Sequence, residues 1–196
     1  MDRPVTPSHR VPNAISRMRS AWISVLVVAL LSGCAQLSES EEQRLREAEL
    51  TARSLMAAWE SADRALIEDL FWPEATYDDF PNQHTYQGIE EIIGYVDAMH
   101  AWADNVYMNV GKVHVTTSGA VIEWVFSAIQ ARPMGAVRVG TGQEVVTNGV
   151  TVIELEGDRI IRAADYADTT PMMLQVGGRI ELPGGEVLEM GGANAR

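Results

Sequence analysis

The order of its periodic segments constrains this chain most: apolar residues recur at helical spacing first and in strand-like runs afterwards. Leu45, Ala48, Ala52, Leu55, Met56 and Trp59 fall on one face of a helix opened by the capping-box pattern Ser40-Glu41-Glu42-Gln43. A second, short helix, capped by Ser61 or Asp63, turns Leu66, Ile67, Leu70 and Phe71 inward and stops at Trp72-Pro73, because proline has no N–H to continue the ladder. An extended piece, Ala75 to Asp79, comes next, and a third helix across Gly88 to Ala103 is built on Ile89, Ile92, Ile93, Val96 and Met99. From there the chain reads as strand, over Val106 to Thr117, Ala120 to Ala131, Val145 to Leu155 and Arg159 to Tyr166, with turn signals at Ser118-Gly119 and Glu156-Gly157-Asp158. Helices followed by a meander of long strands define one α+β domain, expected over residues 41–177. Residues 178–196 read as a glycine-rich tail with one hairpin, Arg179 to Met190, turning at Pro183-Gly184-Gly185.

Ahead of the domain, Ala21 to Ser32 is an apolar run behind an arginine-bearing stretch, too short to span a bilayer comfortably and of the length of a signal-peptide core. It leads into Leu31-Ser32-Gly33-Cys34. A short buried helix with an incidental cysteine is the plainer alternative; the order of basic flank, apolar core, small residues and cysteine favours a signal peptide over residues 1–33. The tetrad resembles the lipobox of bacterial lipoproteins. That resemblance implies lipidation of Cys34, a lipidated linker over 34–40, and attachment to the cell envelope. Ala35 stands where an aspartate would mark inner-membrane retention, which implies the outer membrane, facing the periplasm. Cys34 is the only cysteine, so neither a disulfide nor a thiol nucleophile or ligand is expected in the mature chain.

Charge narrows the partners. The formal charge of −12 becomes −15 without residues 1–33, which carry four arginines and one aspartate. Such a surface repels phosphate backbones, so no nucleic-acid partner is expected. Lys112 is the only lysine, and no basic cluster offers an anionic substrate a pocket. There is no glycine-rich loop before a helix, no serine nucleophile motif and no phosphate cradle, so no cofactor is expected. His84, His100 and His114 have no metal-ligand spacing, and no metal site is expected.

Helix, short helix, the segment Pro73-Glu74-Ala75-Thr76-Tyr77-Asp78-Asp79-Phe80-Pro81, a third helix and a meander ending in Gly157-Asp158-Arg159 through Asp168 together resemble the SnoaL-like group of the nuclear transport factor 2-like superfamily. The resemblance implies a cone in which a strongly bent, mostly antiparallel sheet wraps around three N-terminal helices and encloses an apolar pocket. Tyr77-Asp78-Asp79-Phe80-Pro81 resembles the Tyr-x-Asn-x-Pro segment of the limonene epoxide hydrolase branch, and Asp165-Tyr166-Ala167-Asp168 resembles its Asp-Tyr-Phe-Asp segment. That branch's Arg-x-Asp pair is replaced by Trp124 and Phe126, which cannot activate a water between carboxylates. The Asp base of ketosteroid isomerase matches Asp79, whereas its oxyanion tyrosine falls at Leu55.

Two carboxylates near one apolar cavity remain. Asp165 lies in a strand frame with Ile161 and Ala163; if that frame faces inward, burial raises its pKa and makes it usable as acid or base. Otherwise Asp165 accepts bonds from Arg162 or a loop amide at the rim. Asp79 has the same ambiguity, and Tyr77 is either a donor to a developing oxyanion or a core aromatic. Ile122, Trp124 and Phe126 share one strand face as pocket wall or plain core, His84 sits in the loop after Pro81 where a ligand enters, and Met172 caps the mouth. The expected function is cofactor-free acid-base catalysis (isomerisation, cyclisation, hydration or hydrolysis) on a small neutral apolar molecule, with Asp165 as principal acid or base, Asp79 as counterpart and Tyr77 as orienting donor. The alternative is a non-catalytic small-molecule-binding or assembly module of the cell envelope. The fold also implies a homodimer through the sheet face.

Overall fold

The computed structural model describes residues 39–189. The signal peptide 1–33, Cys34 and most of the linker, and residues 190–196 of the tail lie outside the described residues. The chain divides into two units, Met1–Glu42 and Gln43–Arg196. Residues 39–42 of the first are helical, and the second carries the fold and the site.

In that unit α1 covers residues 43–61 and buries Ala48, Ala52, Leu55, Met56 and Trp59, the stripe that a 3.6-residue period requires. At Ala62 the backbone becomes left-handed (φ 51°), and Asp63 caps α2, Arg64–Leu70, by accepting the Leu66 N–H at 3.1 Å. The chain passes directly into β1, Phe71–Asp79, four residues earlier than the sequence suggested. Phe71 pairs with Ile160 before a register shift that carries Pro73, which has no N–H to give, outside the ladder. A 3₁₀ turn, Phe80–Asn82, leads to β2, His84–Gln87, an edge strand without apolar alternation and therefore without a sequence signal. Then come α3, Ile89–Trp102, and the meander β3, Ala103–Thr116, β4, Gly119–Gln130, β5, Glu144–Glu156, and β6, Arg159–Ala167. A short helix α4, Thr170–Gln175, and a separate hairpin of β7, Arg179–Glu181, and β8, Val187–Glu189, follow.

The six-stranded sheet has the order β2-β1-β6-β5-β4-β3, antiparallel everywhere except between β1 and β6. Register shifts between Asp104 and Tyr107, between Val110 and Val113 on β3, and between Glu154 and Leu155 on β5 place extra residues in the ladders, which bend and twist the sheet. The last of these corrects the expected frame of β6. Ile160 pairs with Leu155 and Arg162 with Glu154, so Ile161 is the extra residue. Ile160, not Ile161, therefore joins the core with Ala163, while Asp165 keeps its inward place. The curved sheet and the three helices α1, α2 and α3 bury one apolar core between them, an α+β fold.

Candidate functional site

The parallel joint of β1 and β6 sets the chemistry. Asp79 and Asp165 are direct partners in that ladder, with neighbouring strands about 4.8 Å apart. Both carboxyls are buried, with residue exposures of 1% and 6%. Arg162, the candidate partner of Asp165, turns to the other face and binds Asp78 at 2.7 Å and Glu154 at 2.9 Å. Asp165 is held by hydroxyls instead: Tyr77 donates to Oδ2, and Thr151 donates to Oδ1 at 2.5 Å. The Thr151 oxygen accepts in turn from the Trp124 indole N–H at 2.8 Å. Room for that indole comes from Gly149 on β5, where any Cβ would overlap the Trp124 ring. Asp79 accepts the backbone N–H of Asn82 at 3.2 Å and its side-chain amide at 2.8 Å, so the 3₁₀ turn fixes this carboxylate.

Burial raises the pKa of Asp165 to about 6; the hydroxyls of Thr151 and Tyr77 offset part of that rise, and the Asp79 charge adds to it. Burial, then the charge of Asp165, pushes Tyr77 well above the usual phenol range, and the same two causes act on Tyr95, so both remain neutral donors.

Both carboxylates border a cavity of about 450 Å³. Its walls are largely aromatic and thioether: Trp59 from α1, Tyr95 and Trp102 from α3, Trp124 and Phe126 from β4. Met134, from the connection between β4 and β5, and Met172, from α4, also line it. Two glutamines position these last segments. Buried Gln130 donates to the carbonyls of Arg132 and Val139 and accepts from the Thr141 N–H and hydroxyl, tying down the connection. Gln175 bonds both backbone groups of Val146, at 2.7 and 3.1 Å, and docks α4 on β5.

The structure brings Asp79, Asp165, Trp124, Phe126 and Met172 together around this space. Three expectations change. Ile122, on the same strand face as Trp124, is wholly enclosed by the core and does not reach the cavity. His84 is exposed on the edge strand β2, its ring edge-on to Tyr86 at 4.4 Å, so Tyr86 borders the cavity in its place. Tyr77 lies behind the wall with no exposure, and its hydroxyl is spent on Asp165 rather than free for an oxyanion.

Sequence reasoning missed Trp59, Tyr86, Tyr95 and Thr151 as site residues. Trp59 was legible only as core periodicity, although an aromatic with a polar N–H is a natural pocket wall. Tyr95 sits three residues after Ile92 on the inward side of α3, and Thr151 occupies an inward position of β5 among apolar residues. Among the described residues no three His, Cys, Asp or Glu side chains gather as a metal site requires, and no lysine, arginine or histidine lines the cavity. The arrangement can therefore hold an apolar molecule against a carboxylate poised to exchange protons.

Solved structures share this architecture. A protein from Catenulispora acidiphila with a ketosteroid isomerase-like fold, solved in complex with trimethylamine, superposes with a TM-score of 0.58 at 22% identity, covering 65% of this chain and 92% of its own. A protein from Jannaschia sp. CCS1, provisionally named a SnoaL-like polyketide cyclase, gives a TM-score of 0.61 at 19% identity over 67% of this chain and 92% of its own. A provisionally named polyketide cyclase from Xanthomonas campestris gives 0.62 at 14% identity, over 68% and 98%. At these identities the likeness speaks for the fold. No curated protein matches the sequence. The family model of the SnoaL-like domain matches residues 52–163, more than half of the chain and all of α2 through β5, and so the chain belongs to the SnoaL-like domain family within the nuclear transport factor 2-like superfamily.

Proposed function

We propose that this protein is an envelope lipoprotein that performs cofactor-free acid-base chemistry on a small, neutral, largely apolar molecule. Asp165 is the acid or base, Asp79 its fixed counterpart, and Tyr77 and Thr151 hold Asp165 in place. One observation carries this reading: a carboxylate held rigidly by hydroxyls faces an aromatic cavity with no cation beside it, and its pKa is raised to about 6. A group with that pKa takes a proton from a C–H or O–H bond at neutral pH and returns it at another atom, the core step of an isomerase, cyclase or hydratase.

Cyclohexanone in heavy water provides the test. The wild-type protein should speed exchange of its α-protons, read by proton NMR, with a rate that rises through pH 6, and Asp165→Asn should lose that acceleration while still binding the ketone. Binding without acceleration would favour the second reading, a non-catalytic binding or assembly module. That reading draws support from the hydrogen bonds already made by both carboxylates and from the trimethylamine held by the Catenulispora protein.

The envelope location rests on the lipobox-like tetrad at Cys34, outside the described residues. Labelled palmitate should enter the wild-type chain and not Cys34→Ser, and recovery of a soluble, unmodified mature chain would overturn it. The homodimer through the sheet face is part of the same proposal, supported by Tyr107 and Tyr166, which stand exposed on the strands β3 and β6.

A further inference from the structure

Three inward side chains of the sheet form a directed chain that ends on Asp165. In the ladders Thr151 on β5 lies directly opposite Asp165 on β6, and Trp124 on β4 lies opposite Gly149, two residues before Thr151 on the same face. Because Gly149 has no Cβ, the indole lies across that position, and its Nε1–H donates to the Thr151 hydroxyl at 2.8 Å. That hydroxyl donates in turn to Oδ1 of Asp165 at 2.5 Å. Thr151 and Asp165 are buried, while the Trp124 ring is also part of the cavity wall.

Donor chemistry gives this chain its direction. An indole N–H can only donate, so the Thr151 lone pair that faces it can only accept. The hydroxyl has one proton to give, and it goes to Oδ1. Were Asp165 to carry a proton on Oδ1 toward Thr151, the threonine oxygen would receive two donors, and its own proton would need a new acceptor in a buried wall. A proton arriving on Asp165 therefore takes a lone-pair position that Thr151 and Tyr77 leave open. Without the indole N–H, the Thr151 hydroxyl turns freely and accepts from a protonated Asp165 as readily as it donates to an ionised one.

We propose that Trp124 is a positioning residue for Asp165, whose N–H, acting through Thr151, keeps that hydroxyl a donor and so favours the ionised carboxylate. The lowering that Thr151 exerts on the Asp165 pKa has the same sign. The other titratable groups acting on or facing Asp165 are Asp79 and Tyr77 on β1 and Tyr95 on α3, and the Trp124 N–H bonds to none of them. Arg162 is turned to the other face, on Asp78 and Glu154. The role of Trp124 deepens the proposed function and rests on it in taking Asp165 as the acid or base.

The full chain, labelled with carbon-13 at aspartate and nitrogen-15 at tryptophan, provides the test. Trp124→Phe keeps a ring and removes the donor, and should raise the Asp165 midpoint by about half a pH unit. Thr151→Val should raise it by about one to two units. The double variant should match Thr151→Val, because the indole acts only through the threonine. Thr151→Ser, which restores the hydroxyl, should return the midpoint to its wild-type value. In each variant the rise of cyclohexanone proton exchange with pH should move with the midpoint. In the wild type the Trp124 Nε1–H resonance should titrate with Asp165, a response that Thr151→Ser keeps and Thr151→Val loses, so the question is decided even if Trp124→Phe does not fold. A midpoint unmoved by Trp124→Phe, shifts that add in the double variant, or an indole resonance that stays flat while Asp165 titrates overturns the role of Trp124. If the midpoint follows Trp124 and Thr151 but the wild type does not accelerate exchange, the proposed function falls and the role of Trp124 stands. If exchange depends on Asp165 while its midpoint ignores Trp124, the proposed function stands and the role of Trp124 falls.

Discussion

Asp78 and Asp79 are neighbours on β1, and Arg162 and Asp165 lie three residues apart on β6, yet the two faces of this joint treat charge in opposite ways. On the outer face, Arg162 bridges Asp78 and Glu154 in a part-exposed cluster where opposite charges meet. On the inner face, Asp79 and Asp165 share a buried aromatic space, held by an amide, a backbone N–H and two hydroxyls, with no cation. Outer charges of this kind cost little and contribute little. The inner arrangement costs stability whenever Asp165 ionises, and hydrogen bonding alone could be served by neutral side chains. Functional groups are where such a cost is expected.

The strongest way to break this contrast is Asp165→Asn, which keeps size and removes the titration. Turnover should fall by about 10²- to 10⁴-fold, with ligand affinity little changed. Stability should move the other way. The folded-state pKa near 6 lies above the ordinary 3.8, so between those values the native state binds more protons than the unfolded chain. Stability from this group is therefore full below about pH 4, falls as pH rises to 6, and is flat above, a loss of about 3 kcal/mol at most. Asp165→Asn should remove that slope and be as stable as the wild type, or more so, at pH 8 in urea titrations.

Next in size, Trp124→Ala should cost roughly 3 to 5 kcal/mol by chemical denaturation, from the emptied volume and the orphaned Thr151 oxygen. A cost below about 1 kcal/mol would mean that the indole does not pack as described. Gly149→Ala tests the same packing from β5. Its methyl group must displace the Trp124 ring, so a loss of about 1 to 3 kcal/mol and a changed tryptophan emission are expected. The smallest effect should come from the outer face: Arg162→Gln should change stability by about 1 kcal/mol or less and leave the pH dependence of turnover where it was. A tenfold fall in turnover would show that the two faces are coupled.

Most of the fold could be read because it follows from alternation and helical period. The strands β3 to β6 and the three helices carry strong patterns, and the family-like segments around Asp79 and Asp165 marked two strands that pair directly. The exceptions share one cause, a local geometry set by distant pairing. The early start of β1 depends on Ile160, the edge strand β2 on β1, and the shift from Ile161 to Ile160 on the extra residue in β6. Within the site, single-strand alternation identified Trp124, Phe126 and Asp165. It could not reveal that the cavity ends before Ile122, that the Tyr77 hydroxyl closes on Asp165, or that Trp59, Tyr86 and Tyr95 arrive from other elements, because each depends on how α1, α3 and the sheet edge meet.

The contrast between the faces is tested most directly by titrating the Asp165 carboxyl itself, with aspartate labelled by carbon-13 and the resonance assigned by its absence in Asp165→Asn. A midpoint near 6 is expected, with Arg162→Gln leaving it in place. A midpoint near the ordinary aspartate value of about 4 would mean that the inner carboxylate is no worse solvated than the outer ones, and would contradict the acid-base reading of this cavity.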